Sequence, residues 1–472
     1  MYYISKSILK FSRSFAAVLI FVLTASVSYS QSAKQNKVNS NANKKHLTLN
    51  DYIESALYSN PTIIGASESR NRYKNLYEKE KALPDNPVFS ASYQNVPLNT
   101  FPALDQSQMS SVTLSLSQKI PTMGEAKYRN QMAYWSYIGE FYQYWEIRNR
   151  IVLKVKLLYH DLHFLYQKKN ILRQSETALL NIVSVARAMV SVNKMNSSHL
   201  LKLEADLSVL KNKLLELEAQ IVSAGAKLEE LTGLKRPVYK HRTNQTSVWM
   251  RSADLVELPK GFNYRNHPLY LGMEAALLRE DAVTGHAKSK ALPGVTVTAS
   301  YSVRSEIQGV SPGDDFISFK VSTPIPLYYA AKEKKDVKAS QNQREVIRNK
   351  KNEIELALIN GWKGESEKAK HLLAAYKGYQ QDVIPRYFAS YNALLGSLSA
   401  GTVTLLDVLD SYRLYLASVI SQAELFRNLR YSTSIMEYYL AVAPQRDTKH
   451  DPKNKTDVEP KNENENNKGN SK

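Results

Sequence analysis

The chain has 472 residues, 43% of them hydrophobic and none of them cysteine, with 63 Lys and Arg against 44 Asp and Glu. Because no thiol is present, disulfide frameworks, thiolate metal sites and cysteine nucleophiles are excluded. The net charge of +19 would favour nucleic acid or an anionic surface as a partner, unless the chain leaves the cytoplasm.

The N-terminal residues have the pattern of a secretory signal. Three cations precede the apolar run from Phe15 to Val27, and small residues follow it. The run has about 13 residues, too few to cross a bilayer as a helix. We predict a signal peptide over residues 1–30 and a disordered polar segment over residues 31–46. Export argues against a nucleic-acid partner.

The chain contains an internal duplication. Five landmarks of the first half, from Asn60-Pro61 to Ile120-Pro121, recur about 205 to 209 residues later, from His267-Pro268 to Ile325-Pro326. A nearly constant offset indicates two structurally equivalent halves. We predict a first repeat over 47–236, a connecting segment over 237–266, a second repeat over 267–443 and a disordered polar tail over 444–472.

Each repeat has two segments in which apolar and polar residues alternate with a period of two. The segments predicted as strands are about residues 87–96, 110–120, 294–303 and 315–325. Each is near the length of a tilted strand that crosses a bilayer. The alternative is a soluble sheet on a helical layer, with its polar face in water. In lipid, a four-stranded sheet would leave two unsatisfied edges, so closure of a barrel requires two or three chains at least.

Long proline-free stretches predict long helices. The first stretch indicates two helices, over 124–192 and 198–232, and the longer would measure roughly 100 Å. In the second of these, leucines recur at spacings of four and three residues, which is typical of coiled-coil packing. Residues 405–426 repeat this pattern. Pro385 is expected to interrupt and kink the second long helix.

The order of helix, strand pair, long helix and coiled-coil helix, present twice, resembles the TolC-like outer-membrane efflux protein family over about residues 47–443. The most specific stretch, Gly401 to Asp410, is similar to the family's turn between its last two long helices. Segments 82–87 and 118–124 look like the family's signatures beside the first hairpin, with a likeness to heavy-metal-type members. The resemblance implies a mainly α protein in which three chains form a 12-stranded transmembrane β-barrel, continued by a periplasmic α-helical barrel.

The resemblance also implies a function. Such a protein is an exit duct in the outer membrane, which passively conducts substrates delivered by an inner-membrane pump and a periplasmic adaptor. It catalyses no reaction and needs no cofactor or metal. Metal ions, drugs and polypeptides all remain possible cargo, and a type I protein-secretion duct is an alternative.

The resemblance carries two acidic positions of the periplasmic mouth onto Asp407 and Asp410. In a trimer, six carboxylates around a narrow opening would favour cations. The alternative is a pair of solvated acids that stabilise the start of a helix. Val403 and Leu398 replace an arginine and a tyrosine that latch the mouth in other members, which puts that closed-state network in doubt. Five residues of the two helical turns are expected to contact the adaptor: Gly401, Thr402, Thr404, Asn196 and Ser198.

Two other classes of protein are alternatives to the exit duct. An enzyme is disfavoured because the sequence has no Gly-rich phosphate loop, HExxH motif or nucleophile elbow. His160 and His163 share a helix face and could bind a metal, but we expect them to be solvated. A trimeric coiled-coil surface protein would also contain strands and long helices, but it normally has its strands at one end of the chain.

Overall fold

The computed structural model describes residues 48–81, 85–95, 98, 101, 103–105, 107–233, 258–290, 294–307, 309–310, 312–325, 327–399 and 402–442. The chain divides into two units, Met1–Lys45 and His46–Lys472, and all described residues lie in the second. The predicted signal peptide, disordered N-terminal segment and polar tail lie outside the described residues, as do residues 237–257 of the connecting segment.

Helices dominate the described part of the chain, and the same order of elements occurs in both halves. The first half consists of α1 (Leu49–Ser59), α2 (Pro61–Lys81), β1 (Val88–Gln94), β2 (Ser111–Ile120), α3 (Met123–Ser191) and α4 (Ser197–Thr232). The second half consists of α5 (Pro268–Ser289), β3 (Val295–Val303), β4 (Phe316–Ser322), α6 (Glu333–Gly378), α7 (Ile384–Ser399) and α8 (Leu405–Tyr439).

Helices α2 and α5, which precede the first strand of each repeat, begin in the same way. Asn60 precedes Pro61 at the start of α2, and its side-chain oxygen accepts a hydrogen bond of 2.9 Å from the N–H of Thr62. His267 precedes Pro268 at the start of α5, and its Nδ1 accepts one of 3.2 Å from the N–H two residues later. Proline at the first helical position lacks only an N–H that would be unpaired there anyway. This shared geometry supports the duplication read from the sequence.

The four strands form one antiparallel sheet in the order β1-β2-β3-β4. Each strand lies inside the range in which its alternation predicted it. The hairpin of one half pairs with the hairpin of the other through β2 and β3, where Leu116 lies opposite Ala299. On its other side, Leu116 faces Phe89 of β1. Strands β1 and β4 are therefore the open edges.

The two faces of the sheet differ in chemistry and in exposure. One face carries hydroxyl groups, and Thr113–Ser302 and Ser117–Thr298 join their side-chain oxygens at 2.8 and 2.9 Å. The opposite face carries most of the apolar residues, which are, from β1 to β4, Phe89, Ala91, Tyr93, Val112, Leu114, Leu116, Ile120, Val295, Val297, Ala299, Tyr301, Val303, Ile317, Phe319 and Val321. On the central strand β2, Leu116 is 53% exposed, whereas Thr113 is 6% exposed. On the edge strand β4 both faces are exposed. A sheet of a water-soluble protein has the opposite arrangement.

The long helices follow the predicted pattern of uninterrupted segments. Helix α3 runs without a break for 69 residues, which corresponds to roughly 100 Å. The interruption expected at Pro385 takes the form of a π-helical turn over Tyr379–Val383, because proline cannot donate to the preceding turn and its ring crowds the carbonyl four residues earlier. Within the described ranges, no helix combines the length and the apolar character that a membrane crossing requires.

The leucine spacing of the shorter helices corresponds to a buried seam. On α4, Leu203, Leu217 and Leu228 are buried, and the last two belong to a core cluster with residues of α1 and α3. On α8, Leu409 and Phe426 are buried in the same register. The predicted coiled-coil positions therefore do face other helices.

Candidate channel mouth at the two helical turns

The turn between α3 and α4 is held by the backbone and by two asparagines. Asn193 adopts a left-handed backbone conformation with φ of 56°, which asparagine tolerates better than most residues. The N–H of Lys194 donates to the carbonyl oxygen of Met189 at 2.8 Å and so closes the end of α3. Asn196 then caps α4, accepting a hydrogen bond of 2.9 Å from the N–H of Ser198.

The turn between α7 and α8 is built differently. Gly401 lies outside the described residues. Both the N–H and the hydroxyl of Thr402 donate to the carbonyl oxygen of Ser397 at 3.1 Å, which satisfies an orphan acceptor at the end of α7. Thr404 then caps α8, and its hydroxyl accepts a hydrogen bond of 3.3 Å from the N–H of Asp407.

The carboxylate of Asp407 completes this cap. It accepts hydrogen bonds from the hydroxyl of Thr404 at 2.7 Å and from the N–H of Thr404 at 2.9 Å, in the reciprocal arrangement called a capping box. These bonds to the Thr404 hydroxyl and N–H lower the pKa of Asp407 below its usual value. Asp407 therefore stabilises the start of α8, as the alternative interpretation expects, and it also keeps an exposed negative charge at neutral pH.

The carboxylate of Asp410 binds Arg413, a residue for which the sequence analysis predicts no role. Its Oδ1 lies 2.8 Å from Nη1 of Arg413, and the Asp410 side chain is 67% exposed. The other terminal nitrogen of Arg413 pairs with Asp206 of α4. Arg413 thus links the second turn to the first and offsets part of the negative charge. The three-residue spacing of Asp410 and Arg413 could have indicated their pairing, but only the folded chain brings Asp206 beside them.

The first turn has its own charge pair at the equivalent position. The duplication aligns Glu204 with Asp410, and Glu204 accepts hydrogen bonds from Nε and Nη2 of Arg187 at 3.0 and 2.7 Å. Both equivalent acids therefore bind an arginine. Arg187 comes from the preceding helix α3, whereas Arg413 lies one turn further along α8 itself.

An apolar cluster lies beneath both turns. Leu203 and Leu409, which the duplication aligns with each other, are both buried in it. Leu398 packs against this cluster, so its side chain makes apolar contacts. The cluster brings the two turns to the same end of the helical bundle. The predicted turn residues at this end, other than Gly401, are all exposed: Thr402, Thr404, Asn196, Ser198, Asp407 and Asp410.

His160 and His163 correct the sequence-based expectation, because both are buried and not solvated. Burial, and then the charge of Arg430, lower the pKa of His160 to about 3 and that of His163 to about 4. Both imidazoles are therefore neutral at pH 7. Among the described residues, no group of three or more His, Cys, Asp and Glu side chains could hold a metal ion.

The fold, with its open-edged four-stranded sheet and its two-turn helical bundle, is that of the TolC-like outer-membrane efflux channels, as the resemblance predicted. The chain matches CusC, a protein whose structures describe transmembrane channel formation, with a TM-score of 0.72 and 15% identity over 84% of this chain and 92% of that chain. It matches the Campylobacter jejuni CmeC outer membrane channel with a TM-score of 0.71 and 15% identity over 85% and 87%. For the open state of the Neisseria gonorrhoeae MtrE outer membrane channel, the TM-score is 0.67, with 15% identity over 85% and 90%.

These structural matches have low sequence identity, 15% in each case. No protein-family model matches the chain, and no curated protein matches its sequence. These structural neighbours are described as channel proteins and not as enzymes.

Proposed function

We propose that the chain is the outer-membrane exit duct of a tripartite efflux system and acts as a homotrimer without catalysing a reaction. The observation that carries the proposal is the exposure of the apolar face of the sheet. Water would penalise this face by about 25 cal/mol for each Å² exposed, whereas hydrocarbon would not. The polar face then lines the lumen.

The edges of the sheet support assembly of several copies. Strand β4 is exposed along its whole length, and its outer backbone groups would be unsatisfied in lipid. Pairing of β4 with β1 of another copy satisfies them, and three copies make twelve strands. A fibrous surface protein is disfavoured because the two hairpins, one from each half, pair within one sheet.

The helices continue the conduit into the periplasm, and their turns form its far end. The exposed residues Thr402, Thr404, Asn196 and Ser198, together with Gly401, form the proposed contact with the periplasmic adaptor, which connects the duct to an inner-membrane pump. Asp407 and Asp410 form the proposed ring of negative charge at the mouth. Arg413 moderates that ring through its pair with Asp410.

Introduced cysteines test the assembly without background, since the chain has none. Each variant has two cysteines, one at Ser90 on β1 and one on β4, at Ser318, Lys320 or Ser322. The three variants sample three registers between β1 of one copy and β4 of the next. Oxidation in the outer membrane should yield covalent dimers and trimers. The matched control, Ser115→Cys with Ser300→Cys, joins residues that lie opposite each other within one chain and should yield monomers only. Absence of intermolecular products at every register would refute the barrel.

A further inference from the structure

The segment that joins β4 to α6 has an exposed apolar and aromatic part. Ile325 follows β4, and Leu327, Tyr328 and Tyr329 come next. Leu327 is 79% exposed and Tyr328 is 70% exposed. Ile325 lies three residues beyond the end of β4 and is 74% exposed. Tyrosine is enriched where a membrane surface meets water.

Lysines follow directly. Lys332, Lys334, Lys335 and Lys338 are all exposed. Two acids lie among them, the half-buried Glu333 and the exposed Asp336, so cations exceed acids by four to two. The ammonium group of Lys332 lies 5.9 Å from the centre of the Tyr328 ring. We call residues 325 and 327–338 the junction segment. It presents apolar and aromatic side chains first and cations immediately beyond them.

The lysines do not cap the N-terminus of α6. Helix α6 begins after Lys332 with no side-chain cap, whereas α1, α3 and α8 are capped by Thr48, Thr122 and Thr404. The acids of its first turn, Glu333 and Asp336, complement the helix dipole, whereas the lysines beside them oppose it. Stability of the helix start therefore does not account for these four lysines.

We propose that the junction segment binds anionic phospholipid at the membrane surface from which the helices emerge. Its aromatic side chains occupy the interface, and its lysines pair with headgroup phosphates. This inference rests on the proposed function, because it requires the sheet to lie in a bilayer. Each basic side chain near an anionic membrane surface strengthens binding by about fivefold at low salt.

A second copy of the chain fits this surface less well. The copy that pairs with β4 would bring its β1 edge, preceded by the last turn of α2. In that turn Glu78 pairs with Lys81 at 3.7 Å, and Glu80 pairs with Arg129 at 2.8 Å. Asp85, which precedes β1, lies 3.8 Å from the same Arg129. Each of these carboxylates therefore already has a cationic partner within its own chain. Cations recur at a neighbouring helix-to-strand junction, where Lys288 and Lys290 end α5.

The test compares lipid retention by the full chain and by a variant. Lys334→Gln, Lys335→Gln and Lys338→Gln are combined, and the detergent-purified proteins are exposed to phosphatidylglycerol or phosphatidylcholine. Native mass spectrometry counts the lipids retained by each trimer. The parent should retain phosphatidylglycerol in preference to phosphatidylcholine. The variant should lose about a hundredfold in affinity for the anionic lipid, since each of its three replaced lysines contributes about fivefold. A matched control replaces Lys202, Lys211 and Lys213, which are exposed on α4, and should behave as the parent.

Three results would overturn the proposal. Equal retention of phosphatidylglycerol by parent and triple variant would remove the role of the lysines. Displacement of the lipid by inorganic phosphate at the same concentration would indicate a free-phosphate site. A triple variant that loses trimers but retains lipid normally would identify the segment as a contact between copies. Conductance of the parent in planar bilayers is measured separately: a conducting parent without lipid preference refutes this inference alone, and a non-conducting parent refutes the proposed function.

Discussion

The charge at the proposed mouth makes a quantitative prediction about ion selectivity. Asp407, Asp410 and Asp206 each carry one negative charge, and Arg413 carries one positive charge. The cluster therefore has a net charge of minus two in each chain and minus six in a trimer. The Asp407→Asn, Asp410→Asn double variant leaves Asp206 balanced by Arg413, so the net charge of the ring falls to zero.

The expected effect follows from Coulomb's law. A charge about 8 Å from a permeating cation contributes roughly 0.5 kcal/mol in water, so six contribute roughly 3 kcal/mol. Screening at 0.1 M salt, with a Debye length of about 10 Å, reduces this to about 1.4 kcal/mol, so cations are favoured and anions disfavoured about tenfold each, which is about a hundredfold in preference. In a tenfold salt gradient such a preference gives a reversal potential of about 57 mV, close to the ideal limit of about 59 mV.

The assay is single-channel recording of the purified protein in planar bilayers with asymmetric salt. The parent should prefer cations, and the reversal potential of the double variant should approach zero. Glu216→Gln with Glu230→Gln is a matched control, because it removes the same charge from exposed positions of α4, and it should keep the potential of the parent. Anion preference in the parent, or an unchanged potential in the Asp407→Asn, Asp410→Asn channel, would contradict the role of these residues.

Three further predictions concern the link between turns, a glycine and the buried histidines. Arg413→Gln leaves three uncompensated acids and should increase cation preference; a reduced preference in the same recordings would count against the charge balance. Gly233→Ala should lower the melting temperature, because φ is 65° and an added Cβ would lie 2.8 Å from a serine hydroxyl oxygen, at a penalty of about 1 kcal/mol or more. In the control Gly364→Ala, the added Cβ meets nothing within 4 Å, and the change should stabilise α6 by up to about 1 kcal/mol. His160 and His163 have folded-state pKa values of about 3 and about 4, below the unfolded value. The stability present above pH 6.5 is therefore lost as pH falls, by about 2 kcal/mol for each histidine at pH 5. His163→Gln should reduce the pH dependence of thermal melting, and an unchanged dependence would disprove that His163 is buried in its neutral form.

Local patterns in the sequence were sufficient to predict the elements and their order. Alternation with a period of two located all four strands, because a half-buried strand in any context must separate its two faces. The absence of proline predicted the 69-residue helix α3, and the fixed offset between Asn60 and His267 predicted that two helices begin alike. These features depend on neighbours in the chain, so the sequence alone determines them.

Tertiary structure decided which distant side chains meet. The pairing of β2 with β3, and of Arg413 with Asp206, joins residues about 180 to 210 positions apart, and no short-range pattern marks such partners. The same holds for His160 and His163, whose helical spacing is compatible with either a wet or a dry face. Their burial depends on α8 packing over α3, since it is Arg430 of α8 that lies beside them. Spacing along one helix specifies which residues share a face, but only packing against other helices decides whether that face meets water.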